Sequence, residues 1–297
     1  MLGWRVLVSV IVVPSLIALF WFDSTLGSAA WGLLAFCLAA AVRNAFEMST
    51  LMRVRSIRPS FRLTGTCSAV VILAAWMHVL LPGHEPSVLI SMGWITAALI
   101  SSFLVLLVRE AVVFSEPGAS MESLGANLLT VVYGSGLLAI VAQFRWFPDA
   151  SIAYFAIGSM VIAVKAGDIG AYTFGRLWGK RRMAPKLSPG KTWMGFNGAL
   201  FGSIAGGGLW LCFGGQLFES APTPGHPVVV VAYCALMGVV GLLGDLCESL
   251  IKRDTGKKDS AALMPGFGGL LDLIDSPIFA GPIALAWWHW LPPAVLP

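Results

Sequence analysis

Two short stretches hold most of the residues in this chain whose types and spacing could do polar chemistry. The first, 165–195, carries Lys165, Asp168, Arg176, Lys180, Lys186, Ser188 and the run Gly190-Lys191-Thr192. A glycine-relieved backbone with lysines and hydroxyls suits phosphate oxygens, because glycine lets amides approach and lysine supplies a compact positive charge. Gly190-Lys191-Thr192 has the ending of a P-loop, but that motif needs a glycine five residues before its second one, and Pro185 stands there. A P-loop is therefore excluded. A basic loop that only sets membrane orientation explains the same composition and remains an open alternative.

The second stretch, 244–276, is richer in acids. Read as helix, Asp245, Glu248, Ser249 and Lys252 fall at i, i+3, i+4 and i+7, one polar face on the end of an apolar run. Asp272 and Asp275 repeat the i, i+3 spacing at the head of the last apolar run. Between them, Pro265-Gly266 and Gly268-Gly269 break the helix and let the chain fold back. Carboxylates converging from two helix ends, with Lys252 and Arg253 nearby, suit phosphates carried on Mg²⁺, which takes one or two carboxylates plus phosphate oxygens and water. The alternative is a network of helix caps and surface ion pairs.

The elements that must position these groups are membrane spans. Of 297 residues, 57% are hydrophobic and only 11% charged, which excludes an ordinary soluble domain. Apolar runs of spanning length predict an all-α, polytopic membrane protein with about nine transmembrane helices. They lie near 5–22, 26–46, 67–82, 88–108, 124–144, 147–164, 195–216, 227–244 and 277–295. The first run, which follows Arg5, has the outline of a signal peptide, but such runs recur to the end, so it reads as an uncleaved span. With a cytoplasmic N-terminus, 18 of the 19 basic residues fall in cytoplasmic segments and only Arg145 falls outside. That asymmetry supports an odd number of spans and puts both polar stretches on the cytoplasmic side. Residues 1–164 are thus expected to form N-terminal spans, and 165–297 a catalytic membrane region. The net charge of +4 gives little support for nucleic acid binding, and the five cysteines show no metal-binding spacing. A transporter would place paired charges near the midplane and show two related halves, and neither pattern is present.

The second stretch resembles the signature of the phosphatidate cytidylyltransferases, the CDP-diacylglycerol synthases. The resemblance rests on Ser249, Lys252-Arg253, Lys258-Asp259, Pro265-Gly266-Phe267-Gly268-Gly269 and Asp272-Leu273-Ile274-Asp275. The first stretch is similar to that family's upstream block at Asp168, Gly175-Arg176, Gly179-Lys180, Pro185-Lys186 and Ser188-Pro189-Gly190-Lys191-Thr192-Trp193. Two positions depart from the pattern: Phe267 replaces the usual His, and Leu273 the usual Arg.

The resemblance implies attack of a phosphatidate phosphate on the α-phosphorus of CTP, giving CDP-diacylglycerol and pyrophosphate, and the expected location is the cell (inner) membrane. It implies Asp245 and Asp272 as main Mg²⁺ ligands, with Asp275 and Asp259 assisting. Lys191, Lys252 and Arg253 would hold phosphates. Ser188 and Ser249 would donate hydrogen bonds, and Lys186 and Lys258 would add charge. Gly268 and Gly269 would allow close backbone approach. The attacking phosphate is already an anion near neutral pH, so no strong base is required. The two departures leave open a CTP-dependent enzyme acting on another lipid, of the CDP-archaeol synthase or polyprenol kinase type. A homodimer is implied by the resemblance alone.

Overall fold

Long apolar stretches can satisfy their backbone groups in lipid only as helix, and the chain obeys that constraint. A computed structural model describes residues 2–27, 29–53, 57, 59–81, 87–115, 117–147, 149–218, 222–261, 263 and 268–295, with the side chains of 2–10, 12 and 13 outside that description. Pro265, Gly266 and Phe267 of the motif, and Arg55 and Arg58 of the basic count, also lie outside it. Among the described residues, helix α1 (Leu2–Thr25) leads into eight helices long and apolar enough to cross a membrane. These are α2 (Trp31–Met52), α3 (Phe61–Leu80), α4 (Val88–Val113), the composite Ser120–Trp146, α7 (Ala150–Trp178), α8 (Trp193–Phe213, prolonged to Leu217), α9 (Pro227–Asp254) and α10 (Leu270–Trp290). The composite span joins α5 (Ser120–Val131) to α6 (Leu137–Ala142) through one π turn, Val132–Gly136. The chain is an all-α, multi-pass membrane protein.

Boundaries moved where helices continue past the first charge. The span expected at 147–164 runs on to Trp178, because Lys165 and Asp168 pair across one turn at 3.3 Å and need no loop to carry them. The last span begins at Leu270 instead of 277, so Asp272 and Asp275 sit inside its opening turns. Helix α9 extends to Asp254, and Gly256 follows at φ +69°, the left-handed position that commonly closes a helix.

Internal packing divides the chain into two units, Met1–Trp146 with Asp254–Leu273, and Phe147–Arg253 with Ile274–Pro297. In the first, α3 packs between α2 and α4 around buried Ala45, Met48, Val71, Ile72 and Trp76. The π turn brings Gly134 against Asn44, whose Nδ2 donates to the Gly134 carbonyl at 3.2 Å. Arg145, the one basic residue outside the expected cytoplasmic set, is buried and ion-paired to Asp23 at 3.1 Å. Asp23 also accepts from the Leu33 amide at 2.9 Å, and Arg145 donates to the Gly27 carbonyl at 2.6 Å. Removing one partner strands the other charge, so Arg145→Ala is expected to cost about 3–5 kcal/mol. The check is the thermal unfolding midpoint in detergent, and a midpoint equal to wild type would refute this role.

In the second unit, α7 and α8 lie so close that a Cβ on Gly170 would stand 2.1 Å from the Gly198 carbonyl oxygen, and one on Gly202 2.3 Å from that of Ala166. Small residues at a helix interface permit this approach, which drives association in lipid. Helix α9 joins them through Gly238 against Ser203 and Gly241 against Val164.

Candidate active site

The acidic end of α9 meets α10 at a close crossing. A Cβ on Gly244 would lie 2.8 Å from that of Phe279, so only glycine lets the helices touch between Asp245 and Asp275. As a result, Asp245, Glu248 and Asp275 each offer a carboxylate oxygen within 4.8 Å of the others. Glu248 and Asp275 are buried, and Asp245 is partly open. An all-oxygen acidic set in this arrangement fits a hard divalent cation of the Mg²⁺ type.

Cations interleave with these acids. Lys191 Nζ lies 3.0 Å from Asp245 and donates to the Leu242 carbonyl at 3.3 Å. Lys252 pairs with Glu248 across one helical turn. Ser249 Oγ reaches Asp245 at 3.5 Å. Asp168, with its partner Lys165, feels the charges of Asp245 and Lys191, and Asp275 feels Lys165, Asp245 and Asp168. The expected i, i+3, i+4, i+7 face on α9 therefore forms and points at a real cluster.

Lys191 is positioned by a hairpin, β1 (Arg182–Ala184) paired antiparallel with β2 (Ser188–Thr192), which fills the link between α7 and α8. Thr192 Oγ1 caps α8 by accepting from the Gly195 amide at 3.0 Å. A Cβ on Gly179 would stand 2.5 Å from the same oxygen, so glycine at the end of α7 makes room for the cap. Ser188 is half-buried in β2, and Lys186 is exposed at the turn. Arg253 is exposed, and its Nε donates to the Leu187 carbonyl at 3.4 Å.

Asp272 belongs to the first unit and has a different setting. Its Oδ2 accepts from the Ser260 amide at 2.9 Å, the Ser260 hydroxyl at 2.6 Å and the Gly269 amide at 2.7 Å. Gly268 sits at φ +98°, where a Cβ would stand 2.4 Å from that same Asp272 oxygen. The Gly269 amide, at one of the two glycines expected to allow close backbone approach, thus donates to Asp272. Lys258 and Asp259 are exposed in the segment that leads there, and Leu273 is half-buried in the first turn of α10.

Three participants stand outside the expected set. Glu248 lay on the recognised polar face, and Asp168 in the upstream block, so both had a signal in the sequence. Glu47 had none. From the C-terminal part of α2, fully buried, it accepts from the Leu270 and Leu271 amides, each at 3.0 Å, from Ser260 Oγ at 3.0 Å and from Arg43 Nε at 2.8 Å.

A family model described as "Cytidylyltransferase family" matches residues 3–291. The chain belongs to the cytidylyltransferase family. Among relatives named phosphatidate cytidylyltransferase, one from Haemophilus influenzae is 30% identical over 288 residues, 93% of this chain and 94% of the relative. One from Pseudomonas aeruginosa is 35% identical over 233 residues, covering 76% of this chain and 79% of the relative. One from Mycobacterium bovis reaches 38% over 170 residues, about half of each chain at 52% and 51%. Membership of this family makes the chain an enzyme that transfers a nucleotidyl group.

Proposed function

We propose that this protein is a CTP:phosphatidate cytidylyltransferase that forms CDP-diacylglycerol and pyrophosphate for phospholipid synthesis. The observation that carries the reading is the convergence of Asp245, Glu248 and Asp275 beside Lys191 and Lys252 at the ends of apolar helices. Charges there are expensive in lipid, and their pairing supports a role in catalysis. In the reaction, a phosphatidate phosphate oxygen bonds to the α-phosphorus of CTP as the bond to the β-phosphate bridging oxygen breaks. Pyrophosphate leaves with that electron pair.

Such a transfer depends on positioning and on neutralising spread negative charge. Asp245, Glu248 and Asp275 would hold Mg²⁺, which when bound supplies positive charge to phosphate oxygens. Lys191 and Lys252, already drawn to two of these carboxylates, put cationic hydrogen-bond donors where triphosphate oxygens meet them. Arg253 and Lys186 extend the positive charge, and Ser188 and Ser249 donate hydrogen bonds. Asp272, with Gly268, Gly269, Lys258 and Asp259, shapes the segment before α10. In this reading 1–164 build the lipid-facing scaffold and 165–297 carry the chemistry. The site faces the cytoplasm from a bacterial inner membrane, and the protein works as a homodimer.

The test is incorporation of labelled CTP into lipid by purified protein with Mg²⁺, offering phosphatidate, an archaeal ether lipid phosphate and a polyprenol in parallel. CDP-diacylglycerol formed with phosphatidate alone supports the reading. Product only with another acceptor would reassign the lipid, and the Leu273 position makes that arm worth running.

A further inference from the structure

The link between α7 and α8 is only fourteen residues long, 179–192, and each helix meets it with an exposed indole, Trp178 at 56% and Trp193 at 48%. Both helices are of spanning length and hydropathy. Exposed tryptophan at the end of a span marks the headgroup level, so the link lies at the membrane surface.

Its charge is one-sided. Residues 169–218 contain no Asp or Glu but hold Arg176, Lys180, Arg181, Arg182, Lys186 and Lys191. Lys191 turns inward to Asp245, whereas the other five are exposed. Among the described residues, none of those five makes an ion pair.

A link that only orients two spans needs charge but no fold, and this one is folded. Arg182 lies across the hairpin from Thr192, which is itself fixed as the cap of α8. The Trp193 amide donates to the Arg181 carbonyl at 3.1 Å, which anchors the next cation to the start of α8. The arginines are therefore presented on an ordered backbone at phosphate depth. Guanidinium groups bind phosphate oxygens with two parallel hydrogen bonds, and clustered cations are drawn to anionic leaflets.

We propose that the exposed cations that open this link, Lys180, Arg181 and Arg182, form a binding surface for the headgroups of anionic glycerophospholipids, separate from the acidic cluster. The surface raises the local share of anionic lipid around this end of α7 and α8. It does not depend on the proposed reaction.

The experiment reconstitutes the intact protein in nanodiscs of phosphatidylcholine and phosphatidylglycerol and counts retained lipids by native mass spectrometry. Wild type should retain phosphatidylglycerol over phosphatidylcholine by at least about tenfold, and K180Q/R181Q/R182Q should lose most of that preference. Salt should weaken the wild-type preference as the screening length falls from about 10 Å at 0.1 M to about 3 Å at 1 M. Equal retention of the two lipids by wild type overturns the proposal, as does an undiminished preference in the triple variant. A variant that keeps the lipid preference but loses CTP binding also overturns it and assigns these cations to the nucleotide. If the variant fails to insert, the salt series on wild type decides, and a preference that salt does not move overturns it.

Discussion

Asp245→Asn and Asp275→Asn are each expected to lower CTP incorporation into lipid by roughly 100- to 1,000-fold, the scale of removing one group that stabilises transition-state charge. Both residues are in the set whose oxygens converge within 4.8 Å. Asn keeps the shape of the side chain and removes its charge. Three carboxylates held this close repel one another, so Asp275→Asn should unfold at the same temperature as wild type or higher, as happens when a strained active site is relaxed, whereas Asp245→Asn also takes the charged partner from Lys191 and is read by activity alone. Lost activity with undiminished stability, together with a higher Mg²⁺ requirement, is the expected signature of Asp275→Asn. Near-wild-type turnover in Asp275→Asn would sink the cation-site assignment. Asp272→Asn makes the comparison sharper. Its Oδ2 accepts three donors from Ser260 and Gly269, so this variant should lose stability along with activity. A stable but inactive Asp272→Asn would instead put that carboxylate in contact with substrate or cation.

Glu47→Ala is expected to cost about 3–5 kcal/mol, a loss on the scale of Arg145→Ala. The carboxylate is fully buried and accepts from the Leu270 and Leu271 amides, Ser260 Oγ and Arg43 Nε. The first amides of a helix have no partner within it, and here a negative charge at the positive end of the helix dipole satisfies two of them. Truncation leaves those donors buried and unpaired. Glu47→Gln keeps an acceptor oxygen but no charge and should fall between Ala and wild type. Thermal unfolding in detergent ranks the three, and hydrogen exchange at the Leu270 and Leu271 amides should quicken in the same order. A Glu47→Ala protein that unfolds like wild type would remove Glu47 from the support of α10.

Much of this was legible in the chain itself. Hydropathy over about twenty residues reports the choice between lipid and water one segment at a time, so the succession of spans was readable without tertiary information. The 3.6-residue period likewise put Asp245, Glu248, Ser249 and Lys252 on one face before any packing was known. The two charged stretches, with their motif residues, pointed to phosphate chemistry and to the family. Helix ends were less legible. An apolar run stops at the first charge, whereas α7 continues to Trp178 because Lys165 and Asp168 satisfy one another on its surface. Only the tertiary structure decided which acids converge, since the meeting of Asp245, Glu248 and Asp275 depends on the α9 and α10 backbones touching at Gly244. Only it revealed Glu47, which is 223 positions from the Leu270 amide it accepts from. Periodicity and hydropathy are local properties of a chain. A buried carboxylate on an apolar helix therefore shows its purpose only when the fold brings it to the unpaired amides of another helix.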